Sequence, residues 1–459
     1  MAVKDYRRDA ITQGVIWKEM LRFVAPIMLG TLLQQLYNTV DAVVLNEYVG
    51  KQALAAVGGS DTAIIWLIVN GFVGLSSGAG IVIAQHYGAG DRQRLQQGVH
   101  TAILLGLICG GIMTVLGVFL APKTLVLLDT PEDTLQYSID YLHFYFLGMI
   151  PSMLYNMGSG ILRAVGDSHR PLYYLMACTA VNIVLDLLFV GGLHMEVAGA
   201  AIATTLSQVV CAVLVLRALL CSRDVYRLEP SKLHMDRKEL GAMLRIGLPA
   251  ALQSSMFNIC NLLLQSAINS MGTDHVAAWS GVWKLDGIYW PICNAIGATV
   301  MTFVGQNYGA GRKDRIRQTI RSGIVIHMTL SVLVSTIMCL GRWTWMGFFA
   351  KGDPVVLQSG VNVMLYMMPF YVLFSCTEVL SGAMRGVGKA ITSTGITLFG
   401  ICILRIVYLY TVIRPNTTDF TVAMCYPLTW GITSLMFVGY YFISHWMDKL
   451  PCERPEGQE

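Results

Sequence analysis

Apolar runs of about 20 residues, long enough to cross a bilayer as a helix, recur along the whole chain with short polar breaks between them. The pattern predicts twelve helices, near 16–46, 53–81, 96–120, 134–162, 170–191, 195–218, 242–271, 276–305, 320–345, 357–384, 391–412 and 420–445. No gap between them is wide enough for a soluble domain. The longest polar connection, roughly 219–241, falls between the sixth and seventh runs. It divides an expected N-lobe, 1–218, from an expected C-lobe, 242–459.

Composition supports this reading. The chain is 54% hydrophobic and 13% charged, whereas a soluble domain carries roughly 25% charged residues. The charged N-terminus leads into a long span without a short apolar core and small-residue cleavage site, so it is not read as a cleavable signal peptide. Lys and Arg cluster in alternate loops, and only Lys51, Lys123, Arg342, Lys351 and Arg414 fall in the loops on the other side. By the positive-inside rule both termini are expected to be cytoplasmic, in a multi-pass protein of the cell membrane. The same asymmetry accounts for the net charge of +4 without a nucleic-acid partner. The eleven cysteines are scattered, most of them inside apolar spans, without CxxC pairs, and read as packing or lipid-facing residues.

The two halves repeat one another. QHYGAGDRQRLQQG at 85–98 aligns with QNYGAGRKDRIRQT at 306–319, and SGILRAVG at 159–166 with SGAMRGVG at 381–388. Pro26 and Asn38 likewise align with Pro249 and Asn261. Three matches at one spacing mark an internal duplication. Each unit has six spans, an even number, so the repeats are parallel, related by an axis along the membrane normal. The expected fold is therefore all-α and integral to the membrane, with two pseudo-symmetric six-helix lobes around a central cavity.

Ionisable residues inside spans narrow the chemistry, because each costs roughly 2.5–3.5 kcal/mol on insertion scales and needs a partner or a purpose. The candidates are Asp41, Asp61, Asp186, Asp286, Lys284, Glu378 and Arg405. Gln34, Asn38 and Asp41 form a polar stripe on the first helix that is expected to face the lobe interior. Asn182 and Asp186 share a face of the fifth helix, and Thr204 and Gln208 lie on the sixth. By helical rise, Asp41 and Asp186 sit at matching depth, roughly 7–8 Å inside the outer ends of their helices. Two carboxylates at one low-dielectric site share a proton or hold a cation between them. Hard oxygen donors there suit Na⁺, and no thiol or imidazole set points to a transition metal.

In the second half, Lys284, Asp286 and Arg405 lie at compatible depths and are expected to form a charge cluster. Asn258, Asn261 and Gln265 share a face of the seventh helix and read as cavity-lining, as do Gln34, Asn38 and Glu378. Gly74-Leu-Ser-Ser-Gly78 matches the serine-hydrolase pattern G-x-S-x-G, but it lies inside a helix, where small residues at i and i+4 serve packing. No HExxH or Walker A sequence is present, so neither proteolysis nor ATP-driven transport is expected.

The proline in the first helix, the QHYGAG and QNYGAG segments and the paired SGxxRxVG segments resemble the multidrug and toxic compound extrusion (MATE) family, in its bacterial DinF-like branch. The resemblance covers nearly the whole chain. It implies a twelve-helix secondary antiporter that expels cationic or amphipathic compounds, driven by Na⁺ or H⁺ and needing no other cofactor. It also implies a coupling site at Asp41, Asn182, Asp186 and Thr204, joined by Asn156, and a gating kink at Pro26. Membrane lipids and small substrates are the expected partners, and the chain is expected to act as a monomer.

Two rivals remain at this stage. A lipid-linked-precursor flippase would need a strongly cationic cavity, which the sparse in-span Lys and Arg disfavour. A non-transporting sensor or scaffold would need a sizeable soluble segment. At the repeat offsets Asp41 matches Leu264, Asn182 matches Leu404, Asp186 matches Tyr408 and Asn156 matches Glu378. Coupling is therefore expected in the N-lobe alone.

Overall fold

The computed structural model describes residues 6–50, 53, 57, 60–127 and 130–450. The side chain of Asp61 lies outside the described set, as does most of the predicted start of the second span. The regular structure of the described residues is helical. Helix α1 (Tyr6–Gln13) precedes α2 (Ile16–Tyr48), α3 (Ser60–Ala89) and α4 (Arg92–Leu127). The fourth predicted span is α5 (Glu132–Leu147) and α6 (Met149–Ala164), broken at Gly148. Next come α7 (His169–Asp186), α8 (Glu196–Leu220) and α9 (Arg237–Asn269). The eighth span is α10 (Thr273–Asp286) and α11 (Tyr289–Gly309), and α12 (Lys313–Leu340) is followed by the short α13 (Arg342–Ala350).

The tenth span joins α14 (Pro354–Met367) to α15 (Phe374–Gly386) through a 3₁₀ segment, Met368–Leu373. The eleventh contains α16 (Ala390–Thr397) and α17 (Leu404–Tyr408), with π-turns at Leu398–Ile403 and Leu409–Ile413. Helix α18 (Asp419–Ile443) ends the series. Among the described residues, eight helical stretches, some of them spanning a break, are long and apolar enough to cross a membrane. Several helix ends follow directly from local sequence. Asp353 caps α14, accepting from the Val355 and Val356 N–H groups, with Pro354 at the first helical position.

Packing divides the chain into two compact units. The N-unit is Ala25–Ala251; the C-unit is Leu252–Glu459 together with the residues up to Val24. This division differs from the six-span repeat, because α2 and α9 each begin in one unit and end in the other. Pro26 and Pro249 lie within two or three residues of those crossing points. In the C-unit, Arg315 donates to the Ile11 and Gly14 carbonyls and Arg312 to that of Thr12, holding the chain just before α2 against α12. In the N-unit, the polar connection folds onto α4. There the Glu229 N–H reaches His100 Nε2 at 3.2 Å and the Asp236 N–H reaches Thr101 Oγ1 at 3.0 Å.

The repeat motifs explain the helix ends. Gly90 and Gly311, in the paired GAG turns, have φ of 71° and 73°, and Gly166 and Gly388, closing the SGxxRxVG segments, have 90° and 84°. These left-handed positions end each helix, with the Asp167 N–H bonding back to Leu162 and the Lys389 N–H to Met384. Within the same segments, Gly160 packs on Ser76 and Gly382 on Gly297. The hydrolase-like glycines are packing devices too. A Cβ on Gly78 would lie 2.5 Å from the Met243 carbonyl oxygen, and one on Gly74 would lie 2.6 Å from the Ala251 nitrogen. Helix α3 therefore meets the start of α9 backbone to backbone within the N-unit.

Candidate functional site

The polar cluster of the N-unit grows from three helices. Helix α7 ends at Asp186 and passes at once into a π-turn, Leu187–Gly192. The repeat places a second π-turn, Leu409–Ile413, just after Tyr408, the counterpart of Asp186. The extra residue in each turn is thus part of the duplicated scaffold, while the carboxylate belongs to one copy only. Asp186 is 0% exposed, Asn182 1% and Thr204 4%.

Asp41 of α2 and Asp186 of α7 meet side chain to side chain. Tyr37, one turn before Asp41, lines a small cavity together with Tyr145 of α5. Both Asp186 oxygens, Asp41 Oδ1, both amide atoms of Asn182, Thr204 Oγ1 and Gln208 Oε1 are buried without a hydrogen-bond partner among the described residues. A cavity of about 20 Å³ lies alongside, lined by Tyr37, Tyr145, Ser152, Thr204 and Gln208 among others. It has room for one water-sized guest. Abutting carboxylates, with the Asn182 amide one turn from Asp186 on the same helix, can share a proton or bind one hard cation. Among the described residues, no group of three or more His, Cys, Asp or Glu side chains is arranged to hold a metal ion.

The structure separates the other predicted residues. Gln34 and Asn38 are exposed on the surface of α2, whereas Asp41 is partly buried. The stripe thus does not face the unit interior as a whole; only its Asp41 end turns inward. Asn156 donates its amide to Ser152 one turn back at 3.0 Å, and its carbonyl accepts from Ser76 Oγ at 2.9 Å. Its side-chain donor is spent on its own helix. At the matching place in the C-unit, Glu378 of α15 fills the space above Gly297 of α11. It is partly buried.

The expected charge cluster of Lys284, Asp286 and Arg405 does not form. Lys284 lies over the Phe349 ring at 5.7 Å. Asp286 accepts from Trp290 Nε1 at 2.6 Å and from the Tyr371 hydroxyl. Arg405 donates to Asn261 Oδ1 at 3.1 Å and stacks over Tyr426 at 4.7 Å. Lys284 and Asp286 are two residues apart on a helix and so point to different faces. Of the seventh-helix candidates, Asn261 is thereby tied to Arg405, Gln265 donates to Asn269 at 2.7 Å, and the Asn258 amide nitrogen is buried without a partner among the described residues.

Where the N-unit holds its polar cluster, the C-unit holds an apolar core. Leu264, the counterpart of Asp41, is 0% exposed and packs with Trp279, Tyr289, Tyr371 and Trp430, and Tyr408 lies against the same group. Tyr289 and Tyr371 stack at 3.9 Å with planes 4° apart. Sequence reading also missed a junction at the far end of this unit. Asp419 accepts from Ser359 Oγ at 2.6 Å and Trp279 Nε1 at 3.0 Å and pairs with His275 at 2.9 Å, joining α10, α14 and α18 beside a cavity of about 410 Å³. These residues are scattered between residues 275 and 419, so no local motif announces them.

The MatE family model matches residues 26–188 and again 249–411, one match per repeat. The chain is 27% identical over 93% of its length, and 93% of the relative's, to the "probable multidrug resistance protein YoeA" of Bacillus subtilis. It is 29% identical to YpnP of the same organism, described in the same words, over 86% of this chain and 88% of that one. It is also 24% identical, over 80% of its length and 79% of the relative's, to the "FAD transporter" of Shewanella oneidensis. Its fold superposes on a crystal structure of MATE in the bent conformation with a TM-score of 0.89, at 23% identity over 98% of this chain and 99% of that one. A MOP superfamily transporter from Pyrococcus furiosus gives 0.88 at 24% identity, over 98% and 99%.

Proposed function

The chain belongs to the MatE family, multi-pass membrane transporters rather than enzymes, and from that premise we propose that it is a cation-coupled antiporter exporting cationic or amphipathic compounds. The multidrug-resistance relatives support this substrate class. The observation that carries the coupling step is the buried contact of Asp41 with Asp186, at positions where the other repeat has Leu264 and Tyr408.

Na⁺ or H⁺ enters this cluster from outside. It neutralises the carboxylate pair, rearranges α2 about its Pro26 kink and lowers the affinity for substrate. By linkage, substrate binding weakens ion binding by the same factor. Asn182 and Thr204 supply the neutral oxygens of the site. Tyr37 closes it on one side, and Asn156, whose amide N–H is bonded back to Ser152, joins through its side-chain oxygen. Both termini lie in the cytoplasm.

Purified protein in liposomes, given ΔpH and Na⁺ gradients separately, is expected to export a cationic dye in response to at least one of them. Asp41→Asn is expected to abolish that response at unchanged expression. Normal gradient-driven export by the variant would remove the site assignment, and indifference of the native protein to both gradients would remove the antiporter.

A further inference from the structure

Helices α7 and α8 cross at two cysteines. Cys178 Sγ donates to the Ser207 carbonyl at 3.1 Å, and Cys211 Sγ donates to the Tyr174 carbonyl at 3.5 Å. Ser207 stands one turn before Cys211 and Tyr174 one turn before Cys178, so the two bonds are reciprocal across the crossing. They bring the two thiols to one point of the crossing. Both are free thiols, 4% and 0% exposed.

We propose that Cys178 and Cys211 form a dithiol site for a two-coordinate soft cation of the Hg(II), Ag(I) or Cu(I) class, whose occupancy pins α7 to α8 and arrests transport. Soft thiolates select such ions over the hard cations that suit the carboxylate cluster. In the binding step two S–H bonds break, two sulfur–metal bonds form and two protons leave, with no change of oxidation state.

The site lies against the coupling cluster. Cys178 is one turn before Asn182 and two before Asp186 on α7. On the facing helix, Gln208 and Thr204 lie within two turns of Cys211. A metal bridge therefore fixes the helix carrying Asp186 to the helix carrying Thr204. The arrest rests on the coupling reading above; the binding does not. Cys260 and Cys402 of the C-unit form the natural comparison, with one contact at 3.9 Å from the Cys260 thiol to the Cys402 carbonyl.

The test uses full-length protein retaining Cys178 and Cys211 with every other cysteine changed to alanine, titrated with Hg²⁺. One mercury per chain with two sulfur ligands by X-ray absorption is expected. Cys178→Ala or Cys211→Ala in that background should lower affinity about a hundredfold, because the second ligand is lost from an effectively intramolecular pair. Cys178→Ser, which keeps the hydrogen bond, guards against a folding defect. In liposomes Hg²⁺ is expected to block dye export and a dithiol chelator to restore it, with the serine variant resistant.

A single sulfur ligand, or affinity unchanged in both single variants, overturns the site. Two-sulfur binding that leaves export intact, or block that persists in the serine variant, overturns the arrest. Normal export by Asp41→Asn, with two-sulfur binding retained, would instead remove only the coupling reading.

Discussion

At the residue scale, a side chain's direction decides its role more than its depth does. Lys284 and Asp286 share a depth yet serve separate partners, Phe349 on one side and Trp290 with Tyr371 on the other. Asp286→Asn is expected to lower stability by about 1.5–3 kcal/mol, as charge-assisted hydrogen bonds are lost. Lys284→Ala should cost about 0.5–1 kcal/mol. The double variant in thermal unfolding should be additive within about 0.5 kcal/mol; a large coupling energy would restore the ion pair that the geometry rejects. Asp236, in the connection before α9, gives a pH prediction. The Glu239 N–H, and with it the Lys238 N–H, holds its carboxyl below the usual carboxylate range. A lowered folded-state value means that the cap is fully in force above the ordinary carboxylate pKa and is lost as pH falls through the lowered one. Amide protection in the first turn of α9, corrected for intrinsic exchange, should fall over that acid window in the native chain. In Asp236→Asn the fall should be absent.

At the element scale, small residues set how closely helices approach. Gly78 and Gly80 lie on the same helix with opposite expectations. The Cβ of Gly78→Ala would meet backbone of α9 at 2.5 Å, which no rotamer change relieves, whereas that of Gly80→Ala would meet the Gly160 carbonyl at an ordinary 3.5 Å. Thermal unfolding in detergent should show a loss of about 1–3 kcal/mol for the first, the range for overpacking, and little change for the second. Equal effects would mean that α3 and α9 do not pack backbone to backbone. Much of this was legible beforehand. The spans and the helical setting of the G-x-S-x-G match followed from pattern, because each is a local property of chain and solvent. The breaks at Gly148 and Met368–Leu373, and the π-turns after Asp186 and Tyr408, were not legible. They depend on neighbouring helices satisfying backbone groups that a continuous α-helix would have paired internally.

At the scale of the whole molecule, duplication supplies the scaffold and its asymmetry supplies the chemistry. Leu264 occupies the place of Asp41 but packs among buried aromatics. Leu264→Asp should therefore not create a second coupling site. It should bury an unpaired polar group at a cost of several kcal/mol, seen as a lower unfolding temperature, and should leave Asp41→Asn without gradient-driven export. Recovery of export in the double variant would show that the two repeats are interchangeable. The compact units add a constraint invisible in the alignment. The residues leading into α2 pack with the unit opposite to the one that holds Asp41.

The sequence by itself determined the membrane class, the twelve spans, the duplication and the identity of the in-span carboxylates, because apolar length, periodicity and the cost of charge in lipid act along the chain or residue by residue. Only the tertiary structure decided which of those groups meet. It brought Asp41 to Asp186, left Gln34 and Asn38 exposed, split Lys284 from Asp286 and brought Cys178 to the crossing with Cys211. Those outcomes depend on the rotation of each helix about its axis, which its packing against neighbours sets and its own sequence does not.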